Sequence, residues 1–244
     1  MSCTDCLHHA CTKTRNHPAC WFESNLETAE RTKVRERYFD PAMRQFIECA
    51  ADTSSSCYDL QQTRIQEVMH FARGMGYRRI GIAFCSALIE EAEAAARVFA
   101  ANGFEPVGAI CRIESMTRAD AQLPLPSTRT QVNEGAAASA KGDSAIAGAS
   151  VNVNAQEHSK DPSAEASVEA SSSAGYVCNS YMQARVLNEA HTDLNVIVGM
   201  CVGHDIIVMQ ETDAPCTTLV SRDWAFNHNP AAGIRALAVA LDEG

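Results

Sequence analysis

No stretch of the chain approaches the ~18 consecutive apolar residues of a membrane-spanning helix. The N-terminus, Met-Ser-Cys-Thr-Asp-Cys, lacks the basic and then apolar order of a secretory signal. Both absences predict a cytoplasmic protein with no membrane partner, in a compartment that keeps thiols reduced. Positive charge is short as well: 20 Lys and Arg stand against 30 Asp and Glu, for a formal net charge of −10. The basic residues are scattered, so nothing grips a phosphate backbone and nucleic acid is not an expected partner. No G-x-G-x-x-G follows the first predicted strand, where Phe84-Cys85-Ser86-Ala87-Leu88 stands, and no P-loop occurs. Dinucleotide binding therefore has no support in the sequence.

Cysteine is what the sequence has in excess. Eleven in 244 residues is many for a reduced protein, yet the fraction is below the ~8 to 10% of a disulfide scaffold and the number is odd. The cysteines read as ligands or reactive thiols. The length allows one main domain with attachments.

Residues 1–25 are polar, cysteine-dotted and without apolar periodicity, as in a small metal-folded knuckle. Residues from Leu26 to about Ala51 have a helix-favouring composition, with Val34, Tyr38, Met43, Phe46 and Ile47 as the apolar positions. A further helix is predicted from Tyr58 to Met75, closed by Gly74 and Gly76. Then "RRIGIAFC" reads as a strand, "SALIEEAEAAARVFAANGF" as a helix with an Asn-Gly stop, and "EPVGAIC" as a second strand. A strand, a helix-length crossover and a strand predict parallel pairing with a right-handed connection. This grammar breaks off over 119–175, which is rich in Ala, Ser, Asn, Gln and Gly, has almost no large apolar side chains and reads as a disordered insertion. It resumes over 176–244 with a helix from about Asn179 to Ala190, the strand "LNVIVGM", a short helix after Gly203, the strand "TTLVS" and a last helix entered through Asn229 and Pro230. The expected fold is α/β: an open, mostly parallel sheet of four or more strands flanked by helices, Rossmann-like or flavodoxin-like. Its two parts are 26–118 and 176–244.

On that grammar Cys85, Cys111 and Cys201 end the first, second and third strands, and Cys178 stands just before the helix that leads into the third. The carboxyl ends of parallel strands form one rim where ligands bind. Cys85, Cys178 and Cys201 also precede helices, whose amino ends favour the thiolate that metal ligation and nucleophilic attack both need. Buried cysteine is often only a small hydrophobe, but core cysteines would fall along strands without regard to polarity. Cys216 at a strand start and Cys49 on a helix are read as structural, and Cys57, just ahead of a helix, is left undecided. Gly203, His204 and Asp205 follow Cys201 on the rim, and His228 precedes Asn229. Either histidine is a candidate ligand or base, whereas Asp205 reads first as a helix cap or first-turn carboxylate.

Cys3, Cys6, Cys11 and Cys20 have the spacing C-x2-C-x4-C-x8-C. Four thiolates suit a closed tetrahedral zinc site or an iron–sulfur cluster, although the spacing fits neither the bacterial nor the plant-type ferredoxin pattern. His8, His9 and His17 read as unpatterned polar residues.

The knuckle together with "GYRRIGIAFC", "GFEPVGAICR", "CNSYMQARVLNEAHTDLNVIVGMCVGHD" and "HNPAAG" resembles an uncharacterised, cysteine-rich family of predicted metal-binding proteins, domain of unknown function 1847. The resemblance implies a prokaryotic α/β protein that binds metal at Cys3, Cys6, Cys11 and Cys20. Its motifs also cover Cys85, Cys111, Cys178, Cys201, Gly203, His204, Asp205, His228 and Asn229. Ser180 stands where the family pattern has proline, and the long Ala/Ser insertion departs from it too. The family supplies no reaction.

Three functional readings follow. In the first, the rim cysteines hold a second metal or cluster for redox or sulfur-handling chemistry, with a small-molecule ligand or redox partner. In the second, Cys201 is nucleophile or ligand, His204 or His228 the base and Asp205 the orienting group. In the third, the knuckle is a structural zinc on a non-catalytic sensor or adaptor.

Overall fold

The structure, a computed structural model, describes residues 3–5, 25, 27–124 and 175–242. It divides into two compact units, Met1–Met75 and Gly76–Gly244. The span 26–118, expected to be the first part of the α/β domain, is thereby split: its helices before residue 76 belong to the first unit.

In the first unit, α1 spans Thr28–Glu36, α2 Pro41–Leu60 and α3 Arg64–Met75. Asp40 caps α2, its Oδ1 accepting from the Ala42 N–H at 2.9 Å, and Pro41 opens the helix where a missing N–H is harmless. The helix runs on through Ser54, Ser55, Ser56 and Cys57 and stops at Gln61, whose backbone is left-handed (φ 50°). The predicted single helix from Tyr58 to Met75 is therefore two helices. Thr63 and Gln66 make the break: the Gln66 Oε1 accepts from the Thr63 N–H at 2.9 Å, one half of a capping box. Cys57 is thus in the last turn of α2, its Sγ donating to the Gln62 Oε1 at 3.0 Å, and does not precede a helix. Helices α2 and α3 pack together, with Phe46 and Phe71 edge to face at 5.0 Å.

The second unit holds β1 Arg79–Phe84, α4 Ile89–Ala101, β2 Glu105–Ile110, α5 Ser180–Glu189, β3 Leu194–Val198, α6 His204–Glu211, β4 Cys216–Val220 and α7 Pro230–Asp242. The four strands form one parallel sheet in the order β2-β1-β3-β4, the α/β architecture the sequence predicts. All five residues of β3 are buried, as expected of a strand covered on both faces. The order reverses direction after β2. With right-handed crossovers α4 therefore lies on one face and α5 and α6 on the other. Leu187 of α5 and Val208 of α6 pack with Ala83, Ala109, Ile197 and Met200 in one buried cluster.

The same reversal makes a topological switch point between β1 and β3, where the two crossovers part to opposite faces and a crevice opens at the carboxyl ends. The chain leaves β2 through Cys111 and a short turn at Ile113–Ser115. It is recorded again from Gly175, where Tyr176 bridges Thr117 antiparallel and the Val177 N–H donates to the Met116 carbonyl at 2.9 Å. The expected insertion 119–175 lies outside the described residues apart from 119–124 and Gly175.

Candidate functional site

Three backbone hydrogen bonds set the cysteines at the rim. The Cys85 N–H donates to the Val198 carbonyl at 3.1 Å and the Cys111 N–H to the Phe84 carbonyl at 2.9 Å, so each cysteine extends the ladder one residue past its strand. The Asn179 N–H then donates to the Cys111 carbonyl at 2.7 Å and hangs the start of α5 from the end of β2. Asn179 caps α5 through its Oδ1, which accepts from the Met182 N–H at 3.0 Å, and its Nδ2 donates to Glu114 at 3.0 Å. Cys178, one residue earlier, is thereby held above Cys111.

The result is a group of three neighbouring thiols that shift one another's acidity. Cys85 is pushed well above the ordinary thiol range by the neighbouring Cys111 and by burial. Cys111 is also raised, chiefly by the neighbouring Cys178; its Sγ donates to the Ser86 Oγ at 3.7 Å and accepts from the Ser86 N–H at 3.3 Å. Cys178 is lowered: the Cys111 thiol beside it stabilises its thiolate more than burial opposes it, and the Arg112 guanidinium adds to the effect. Cys178 is therefore the most acidic thiol of the three.

Cys201 stands within electrostatic reach of Cys178. Gly199 turns left-handed after β3 (φ 60°), and a side chain there would meet Leu88 Cδ2 at 2.4 Å. The Cys201 carbonyl accepts from the His204 and Asp205 amides at 3.0 and 3.1 Å. Gly203 takes φ 95° at the amino end of α6. Asp205 acts as the first-turn carboxylate that its position predicts, its Oδ1 accepting from the Gly203 and Ile206 N–H groups at 3.1 and 2.8 Å. Asn229 caps α7, its Oδ1 accepting from the Ala232 N–H at 3.2 Å.

The expected pairing of Cys201 with a histidine base is absent among the described residues, where neither ring hydrogen-bonds to its sulfur. The His204 Nδ1 is buried without a partner, and burial, followed by the nearby Arg222 charge, lowers the basicity of the ring. His228 faces its own loop. Its Nδ1 accepts from the Asp223 N–H at 3.3 Å, and its ring meets Trp224 edge to face at 5.4 Å.

A metal at the rim would need three or more converging donors, deprotonated where they are thiols. Among the described residues no group of three or more Cys, His, Asp and Glu side chains is arranged to hold a metal ion. Of the knuckle only Cys3 is described, exposed in the short 3-10 turn Cys3–Asp5. Cys6, Cys11 and Cys20 lie outside the described residues.

Cys216 opens β4 and so sits on the opposite rim, with the Thr212 Oγ1 3.0 Å from its sulfur, and Cys49 lies in α2. The sequence reading passed over Arg112 and Arg222, although each follows a strand end that it had already drawn. Gln183 carries no signal in the sequence, and Ser180 only that of standing where the family pattern has proline; both are buried in α5. The Gln183 Nε2 donates to the Ala109 and Phe84 carbonyls at 2.8 and 3.3 Å.

A family model described as "Protein of unknown function (DUF1847)" matches residues 22–139 and 148–219. The match takes in Cys85, Cys111, Cys178 and Cys201. It begins after Cys20 and ends before His228 and Asn229, so those carried-over positions lie outside it. Over 234 residues, 96% of this chain and 93% of the relative, the chain is 26% identical to the uncharacterized protein MJ0455 of Methanocaldococcus jannaschii. No solved structure matches. On the extent of the family match, the chain belongs to the DUF1847 family of proteins of unknown function.

Proposed function

We propose that the rim is a thiol site that exchanges sulfur bonds with a disulfide substrate, Cys178 attacking as thiolate and Cys111 resolving. The carrying observation is the convergence of Cys85, Cys111 and Cys178 at the carboxyl ends of β1 and β2, where backbone hydrogen bonds place them and they shift one another's acidity. The Cys178 thiolate attacks one sulfur of the substrate disulfide, forming a mixed disulfide and expelling the other half as a thiolate. Cys111, its proton passing to solvent or to the departing thiolate, then attacks the Cys178 sulfur. A Cys111–Cys178 disulfide forms, and the second half of the substrate leaves with the electron pair. The substrate gains two electrons and the protein loses two, so a dithiol redox partner must restore the pair. This reading places the protein in a reducing compartment such as the cytoplasm.

A four-cysteine zinc or iron–sulfur site at Cys3, Cys6, Cys11 and Cys20 is part of the same proposal, and its support is the spacing alone.

The test is to treat the reduced protein with bis(2-hydroxyethyl) disulfide and map the products by peptide mass spectrometry. The expected result is a mixed disulfide on Cys178 that converts to a Cys111–Cys178 crosslink, and in Cys111→Ala persists as the mixed disulfide. Modification confined to Cys201 or to exposed cysteines elsewhere would reject the assignment.

A further inference from the structure

We infer that the substrate of this thiol site is a small disulfide carrying negative charge beside its sulfurs, held by Arg112, Arg222 and the amino ends of α5 and α6. The inference rests on the thiol reading and adds the chemical class of the substrate.

Both arginines stand at strand ends of the same rim. Arg112 directly follows Cys111 after β2, and Arg222 lies two residues beyond β4, which borders β3. Arg112 is within electrostatic reach of Cys178, and Arg222 of Cys85 and His204. Neither forms a salt bridge among the described residues, and Arg222 is set 5.6 Å over the Trp224 ring. The rim carboxylates are otherwise engaged: Asp205 with the Gly203 and Ile206 amides, Asp223 with the Ala225 and Phe226 amides, and Glu114 with Asn179. Two guanidiniums without a carboxylate partner thus stand beside the thiols, in a chain of net charge −10.

A second observation locates a ligand there. Ser180 is 2% exposed and its Oγ has no partner, and Gln183 is fully buried with its Oε1 unpartnered. Gln183 reaches the carbonyls of Phe84 and Ala109, at the ends of β1 and β2. Ser180 directly follows Asn179, whose N–H hangs the start of α5 from the Cys111 carbonyl, and stands two residues after Cys178. Buried polar atoms normally find partners, so an unpaired hydroxyl this near the thiols marks a place for a polar ligand group. The amino ends of α5 and α6 flank it and add their positive dipole ends.

The decisive experiment varies substrate charge at constant chemistry. The reduced full-length chain is reacted with 3,3′-dithiodipropionate (anionic), bis(2-hydroxyethyl) disulfide (neutral) and cystamine (cationic), and the rate of Cys178 capture is followed by mass spectrometry. The expected order is anionic, neutral, cationic, with an anionic preference of about tenfold at low ionic strength that shrinks as salt is added. The chain's overall negative charge would produce the reverse order. Arg222→Gln and Arg112→Gln should each reduce the preference, and Arg222→Lys should retain most of it. Capture at Cys178 with no charge preference, or a preference unchanged in both glutamine variants, overturns this inference and leaves the thiol reading standing. Failure of Cys178 to capture any of the three overturns the thiol reading and this inference with it.

Discussion

Gly81 sits at the middle of β1, where an added Cβ would lie 1.9 Å from the Asn195 Oδ1 and 3.0 Å from Leu187 Cδ2. Asn195 is fully buried in β3, and its Oδ1 is held by the Thr192 hydroxyl at 2.8 Å. It has no room to yield, because Leu187 packs beside it in the core under the rim. Gly81→Ala is therefore expected to destabilise the protein by about 2 kcal/mol, read as a lower midpoint in chemical denaturation at unchanged slope. An unchanged midpoint would show that β1 and β3 separate more easily than this packing implies. The cysteines follow the same local logic. Cys85, Cys111 and Cys178 are one residue type with acidities driven apart by their neighbours and their burial. Sequence alone makes them alike.

Helix α5 carries the site more than any other element. Asn179 caps it on Cys111, Ser180 is buried in its first turn, and Gln183 ties it to two strand-end carbonyls. Gln183→Leu keeps the bulk but removes the side-chain hydrogen bonds to the Ala109 and Phe84 carbonyls, of which Phe84 keeps the Cys111 N–H, at a cost of about 1–3 kcal/mol. Cys178 should then be displaced from Cys111, and its alkylation should slow along with the loss of stability; stability loss at unchanged Cys178 reactivity would show that α5 does not position the thiol. Much of this element was legible. The helix from about Asn179, and Cys85, Cys111 and Cys201 at strand ends, follow from short apolar strands separated by helix-length crossovers. The meeting of Cys178 with Cys111 was not, because the two are separated by a long insertion with no packing pattern. Nor was the break between α2 and α3, where the left-handed residue is Gln61 and not glycine. The Thr63 and Gln66 pair was a readable signal there. The histidine roles failed for a different reason: proximity in sequence to Cys201 did not fix which way the His204 ring turns.

At the scale of the molecule, Cys85, Cys111, Cys178, Cys201, Arg112 and Arg222 all belong to the unit Gly76–Gly244. The strand order β2-β1-β3-β4 puts the crevice where Cys85 and the Cys201 turn flank it. The proposed thiol chemistry is thus a property of the α/β unit, while the metal proposed for the N-terminal cysteines is separate from it. The most direct measurement of the central claim is site-resolved alkylation of the reduced protein with iodoacetamide across pH. Only thiolates react, and Cys178 holds its thiolate below the ordinary thiol range while Cys85 holds its proton above it. Cys178 should therefore be labelled first, at pH values where an ordinary thiol is still protonated, and Cys85 last. Cys111→Ala, which removes the main stabiliser of the Cys178 thiolate, should shift the Cys178 profile to higher pH. A Cys178 profile that matches an ordinary thiol, or that stays in place in Cys111→Ala, would contradict the account.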